Sequence, residues 1–220
     1  MKTNMAAPGR VSVSPVTVLV TFPQILIVNP KVPAKTFAEW IAYAKANPGR
    51  MSYGSPGTGT TAQLAQEELM RALGVQLVHV PYQGMGPAIN DLLAGHIETM
   101  FAAVGTALPL IEDGKVRAIA LTGGERLARF PDVPVISETL PTFSHLEWFG
   151  ILAPLQTPAT TVTALWQAIS ETLRTPDVQD RLHQLLLAPV GSPPVEAAAF
   201  IESERQRWGA IVDMRTNQPK

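Results

Sequence analysis

Cysteine is absent from the 220 residues. That excludes disulfides, thiol catalysis and cysteine-bound metals. Charge is scarce as well: 16% of residues are charged and the formal net charge is −1, so no electrostatic case exists for nucleic acid or an anionic membrane as partner. No apolar run reaches the roughly 18 residues of a membrane-spanning helix. The histidines at 79, 96, 145 and 183 form no i, i+4 pair, and neither a metal nor a cofactor is expected. Lys2 and Arg10 precede "VSVSPVTVLVTF", but Ser12, Ser14, Pro15 and Thr17 interrupt the apolar stretch of a leader. No signal peptide is therefore expected. What remains is 46% hydrophobic, enough for a sizeable core in an ordinary globular protein.

Against that background, apolar runs and helical periodicities alternate from residue 25 to residue 121. "ILIVN" (25–29), "MSY" (51–53), "VQLVHV" (75–80), "IETMF" (97–101) and "VRAIALT" (116–122) read as strands. Phe37, Trp40, Ile41 and Ala44 lie at i, i+3, i+4 and i+7 on one helix face. Thr36 with Glu39 is a capping box for that helix, and "NPG" stops it. Further helices are predicted near 61–73, 86–95 and 106–114. Such alternation predicts an α/β lobe with a parallel-type sheet covered by helices. The chain is expected to divide into an irregular lead segment (1–24), an α/β ligand-binding lobe (25–145), and a hinge strand with C-terminal helices (146–220). Thr157-Pro158, Thr175-Pro176 and Ser192-Pro193 would open the last three helices. Their apolar faces want a sheet that the sequence does not obviously supply.

"YGSPGTGTT" (53–61) nearly spells a phosphate-binding loop, but Thr60 stands where the lysine would be. In an open parallel sheet, ligands lie beyond the carboxyl ends of the strands. The segments that follow the strands are 54–61, 81–87 and 102–106, and none contains Lys, Arg, Asp or Glu. A nucleoside triphosphate would want a lysine and a magnesium-binding carboxylate. A carboxylate can be held by helix-start amides and hydroxyls alone. Ser55, Thr60 and Thr61 would supply the hydroxyls, and glycine would allow close backbone approach. The alternative is a turn that merely joins strand to helix. Ser55 lacks a nucleophile-elbow context, and no acid–base pair can be assigned to it, so no enzymatic activity is expected. His79, Trp148 and Phe149 read most simply as core. Asp91 and Glu98 read as solvated surface, and Glu202, Glu204, Arg205 and Arg207 as the wet face of the last helix.

The segments "LIVNPKVPAKTFAEWIAYAKANPGRMSYGSPGTGTTAQLAQE", "VHVPYQGMGPAINDLLAGHIETMF", "GKVRAIALTG", "RFPDVPVISE" and "WFGILAPLQTP" resemble the Bug-type extracytoplasmic solute receptors. These are the substrate-binding proteins of tripartite tricarboxylate transporters, and the likeness runs from about Val16 to Ala210. It implies a type II periplasmic-binding-protein-like fold of two hinged lobes that close on a small carboxylate and deliver it to membrane permease subunits, in the periplasm. It implies a ligand site at Ser55, Gly57, Thr58, Gly59, Thr60, Thr61, Tyr82, Gln83, Gly84 and Ala103. It implies too that this chain is shortened at its N-terminus, with one nearly complete lobe and the C-terminal helices of an incomplete second one. A shortened relative with impaired binding is the alternative expectation. Ala102 and Ala103 stand where many relatives place polar residues, often Asp, which disfavours an amine-bearing ligand.

Overall fold

The computed structural model describes residues 13–216, with side chains as far as Val212, Ala210 excepted. The N-terminal twelve residues, on which the signal-peptide reading and half of the lead segment fall, lie outside the described residues. Two compact units are present: Phe22–Glu147, and a second made of the segments on either side of it.

The central unit holds a five-stranded sheet. Its strands are β2 (Gln24–Val28), β3 (Ser52–Ser55), β4 (Val78–Pro81), β5 (Thr99–Ala103) and β6 (Arg117–Leu121), in the order β4-β3-β5-β2-β6. β3 runs parallel to β4 and β5. β2 runs antiparallel to both its neighbours, β5 and β6. The lobe is α/β as expected, but its sheet is mixed rather than wholly parallel. The apolar run 25–29 reveals burial and not direction. All five residues of β2 are buried, as a strand covered on both faces requires.

Helices α1 (Phe37–Ala46), α2 (Thr61–Leu73), α3 (Met85–Ala94) and α4 (Val104–Glu112) cover the sheet. The Thr36–Glu39 capping box forms, and Phe37, Trp40 and Ala44 are buried. Gly74 and Gly95 end α2 and α3 in the left-handed conformation, with φ of 65° and 81°, the usual role of glycine just past a helix. Trp40, Tyr53, Phe101, Leu69, Leu92 and Ile97 are among the largest fully buried side chains.

The other unit contains β1 (Val13–Phe22), β7 (Glu147–Pro154), β8 (Ala188–Pro189), α5 (Ala159–Leu173), α6 (Pro176–Gln184) and α7 (Pro194–Thr216). Its sheet has the order β7-β1-β8. β1 corrects the reading of 1–24 as irregular. "VTVLV" is rich in β-branched residues, and Pro15 sits near the start of the strand, where a missing N–H is tolerated. The C-terminal helices therefore do have a small sheet. Val16 of β1, Ala153 of β7 and Val162 of α5 form a buried cluster with Trp166 and Ile169 packed on it. Apolar surface nevertheless stays open: Leu165 is 42% exposed and Val195 76%. Phe149, read as core, is 56% exposed. Among the described residues, no helix is long and apolar enough to cross a membrane.

Candidate functional site

Strands β3, β4, β5 and β6 end at one edge of the five-stranded sheet, and antiparallel β2 begins there. Three of the strands lead into helices at that edge: β3 into α2, β4 into α3, and β5 directly into α4. The N-cap positions are Thr60, Gly84 and Ala103, and none of the three gives a side-chain cap. No acidic residue stands in the first turn of α2, α3 or α4. The first-turn amides of a helix have no intrahelical acceptor, and they carry about half a positive charge between them. Three such starts share one edge.

The hydroxyls expected at the ligand have other work. Ser55 ends β3 and is fully buried. Its Oγ lies 2.7 Å from His79 Nε2 and 3.1 Å from the Gly57 carbonyl oxygen. Gly59 N donates to Gln63 Oε1 at 2.6 Å, and Gln63 Nε2 donates to Glu67 Oε1 at 2.8 Å. That fixes the amide's orientation. Gln63 Nε2 therefore presents a hydrogen to His79 Nδ1 at 3.3 Å, which places the imidazole proton on Nε2. His79 then donates to Ser55, and the serine hydroxyl donates to Gly57. His79, stacked on Tyr53 with ring centroids 4.8 Å apart, is thus the brace of the glycine turn rather than plain core. Thr60 Oγ1 also donates to the Gly57 carbonyl, at 2.8 Å.

The two motif loops are tied to each other. Tyr82 N donates to Ser55 O at 3.0 Å, and Gly84 N to Pro56 O at 2.9 Å. At Gly57, φ is 152°, a conformation that favours glycine, and an added Cβ would just touch the Tyr82 carbonyl at 3.4 Å. The Tyr82 hydroxyl donates to Asp91 Oδ2 at 2.7 Å. Burial first, then that bond and the nearby negative charge, push the phenol up to about 12. Asp91 is correspondingly held below the usual carboxylate range, by Tyr82 first and His96 second. It is a partner of the loop as well as surface. Thr58, Gly59 and Gln83 are exposed, while Gly57, Thr60, Thr61, Tyr82, Gly84 and Ala103 are part-exposed. The predicted site residues thus gather on one sheet edge, but Ser55, Thr60 and Tyr82 shape it while the helix starts supply its open donors.

Sequence reasoning missed Gln24 and Glu147. Gln24 opens β2 directly opposite Ala103. Its Nε2 donates to Glu147 Oε1 at 3.1 Å, and the Thr61 hydroxyl donates to the same oxygen. Buried His145 brings Nε2 to 4.0 Å from it. A carboxylate therefore does stand at the edge, although the loops themselves contain none. Gln24, a polar residue between Pro23 and a run of apolar residues, was the one available signal; nothing local marks Glu147.

Comparison with known proteins fits this geometry. Residues 3–216 match the tripartite tricarboxylate transporter family receptor, TctC. The chain belongs to that family. A protein encoded between tcbD and tcbE in Pseudomonas sp. strain P51 is 36% identical over 206 residues, covering 92% of this chain and 61% of the relative. BugT of Bordetella pertussis is 31% identical, covering 90% and 61%. The chain thus spans about three fifths of the length of such curated relatives. Among solved structures, Rpa4515 of R. palustris with adipate superposes with a TM-score of 0.87 at 28% identity, covering 97% of this chain and 72% of that one. MatC of Rhodopseudomonas palustris with bound malate gives 0.84 at 31% identity, covering 91% and 69%. The periplasmic binding protein BugD gives 0.86 at 28%, covering 94% and 71%. The family is one of solute-binding receptors and not of enzymes.

Proposed function

We propose that this chain binds a small organic carboxylate at the carboxyl edge of its five-stranded sheet, as the receptor part of a tripartite tricarboxylate transporter working in the periplasm with membrane permease subunits. One observation carries the reading: three helices start at a single edge with no side-chain cap and no acid in their first turns. Amides so arranged attract an anion. The loops around them bring no lysine and no metal-binding carboxylate of their own, which argues against a phosphate–magnesium ligand. Ser55, Gly57, Thr60 and Tyr82 keep the loops in shape, and Thr58, Gly59, Thr61, Gln83, Gly84 and Ala103 border the ligand. Adipate and malate in two solved relatives support the carboxylate class.

Calorimetric titration of the 220-residue protein with C4–C6 di- and tricarboxylates tests the proposal. Saturable heat and a raised thermal midpoint with at least one acid are expected. Absence of both across the series, with folded protein, would overturn the reading.

A further inference from the structure

The three-stranded sheet of the second unit is finished unevenly. On one side stands β8, only two residues long, paired to β1 at Val20 and Thr21. On the other stands β7, eight residues long, whose one strand neighbour among the described residues is β1. A terminal strand offers a row of backbone donors and acceptors to any strand that comes alongside. Proteins commonly blunt such a strand with lysine, inward charge or proline. From Trp148 to Pro154 the sequence "WFGILAP" has no charged residue, and its proline stands last. Apolar side chains flank the row instead: Ile151 is 39% exposed and Leu152 45%.

We propose that β7 is a self-association strand: two copies of this chain pair through it, antiparallel, about a twofold axis at Ile151, joining their three-stranded sheets into one. The order of side-chain sizes selects a second copy as the occupant. Residues directly opposite each other in an antiparallel pair share a face, and faces alternate along the strand. Set against itself about Ile151, the segment opposes Phe149 to Ala153 and Leu152 to Gly150, each bulky residue to a small one, with Ile151 on Ile151 at the axis. No like charges meet along this stretch. The arrangement closes at two copies, because the axis uses up both terminal strands. Eight residues extend for about 27 Å. A seam of that length, about 20 Å deep through the sheet and one layer of helix, covers on the order of 500 Å² per copy, near the lower limit for a specific interface. The proposal is independent of the carboxylate reading.

Sedimentation equilibrium of the 220-residue protein should show a reversible dimer of twice the 23.7 kDa chain mass. A Kd on the order of 10 µM suits so small a seam. Ile151→Lys sets two like charges face to face at the axis and should weaken dimerisation about 100-fold or more. Its thermal midpoint in dilute, monomeric solution should stay close to that of the wild type, because the position is at the surface. Leu152→Lys, the next residue along and on the other face, serves if the first variant does not fold. The chain has no cysteine, so Ile151→Cys introduces a single thiol per copy. Across the axis the two Cα atoms would lie about 4.5–5.5 Å apart, within disulfide reach. Mild oxidation should link most of this variant as dimer, whereas Val195→Cys, more exposed but off the strand, should stay largely unlinked. A wild type that remains monomeric up to about 100 µM overturns the proposal and leaves β7 to a strand of some other chain. A polymer in place of a dimer, a dimer that survives lysine in folded protein, or equal linking at 151 and 195 overturns it as well.

Discussion

The two edges of the five-stranded sheet are built from the same strands and finished in opposite ways. At the edge where α1 begins, Thr36 accepts from Glu39 N, and Glu39 accepts from the backbone of residues 35 and 36. Asn29 covers the carbonyls at the end of α3, donating to Leu92 O at 2.7 Å. Glu98, expected to be solvated, holds Ser52 by backbone and hydroxyl at 2.7 and 2.6 Å. There the start of α1 and the end of α3 are closed by the chain's own side chains. At the other edge, α2, α3 and α4 begin uncapped. A helix start left open forgoes about 1 kcal/mol that a single Ser, Asp or Asn would contribute. Three in a row at one edge are the feature on which the proposed carboxylate site rests.

Closing that edge artificially should have the largest effect. In Ala103→Asp, the new carboxylate caps α4 and stabilises the fold by about 0.5–1 kcal/mol. The same charge repels an incoming diacid that carries no cationic group and should weaken the binding of such an acid about 100-fold or more. Stability up and affinity down is a combination that mere damage to the fold cannot produce. Thermal melts and calorimetry on the same sample read both; a variant that binds as the wild type would place the ligand elsewhere.

Next in size is the brace beneath the turn. Ser55→Ala takes away the acceptor of His79 Nε2–H and one of the two hydroxyls on the Gly57 carbonyl. Losing this part-buried hydrogen bond costs about 0.5–1.5 kcal/mol, visible as a lower denaturation midpoint in urea. Affinity should fall with it, because Gly57 and Thr60 lose their fixed positions. The matching change at the far edge, Thr36→Ala, removes the cap of α1 and should cost about 1 kcal/mol. Carboxylate binding should be untouched. If Thr36→Ala weakens binding as much as Ser55→Ala does, the edges are not functionally distinct.

The sequence made local features of this comparison legible and hid the distant ones. The Thr36–Glu39 box, the glycine stops at 74 and 95, and the strands of the lobe all follow from residues within a few positions of one another. The loop segments without charge lie at the one sheet edge where α2, α3 and α4 begin, as the strand–helix alternation implied. Strand direction is different in kind. Five buried apolar residues in β2 read the same whichever way the strand runs, so the mixed sheet was out of reach. Glu147 meets Thr61 across 86 positions and Gln24 across 123. Only folding brings those three together, which is why the carboxylate at the open edge escaped a reading confined to loops. The β-branched run of β1 was readable, but Pro15 and the serines around it obscured a strand that starts among polar residues.

The smallest effect lies in the loop after β4. With its phenol pushed up to about 12 from an ordinary 10.0, Tyr82 holds its proton more tightly in the folded protein than in the unfolded chain. Below pH 10 both states are protonated, and the Tyr82–Asp91 bond contributes in full. As pH rises from 10 toward 12, the unfolded chain releases the proton first, so stability declines across that window. Tyr82→Phe should flatten this part of the stability–pH curve and lower stability slightly at neutral pH. Ultraviolet titration at the phenolate band should show one of the protein's tyrosines ionising later than the others in the folded state, and all together in denaturant. Because the bond orients the ring beside Gly54 and ties its hydroxyl to Asp91, Tyr82→Phe should alter carboxylate affinity far less than Ala103→Asp. An equal loss in both would mean that the phenol touches the ligand, and the division between residues that shape the edge and amides that bind at it would have to be redrawn.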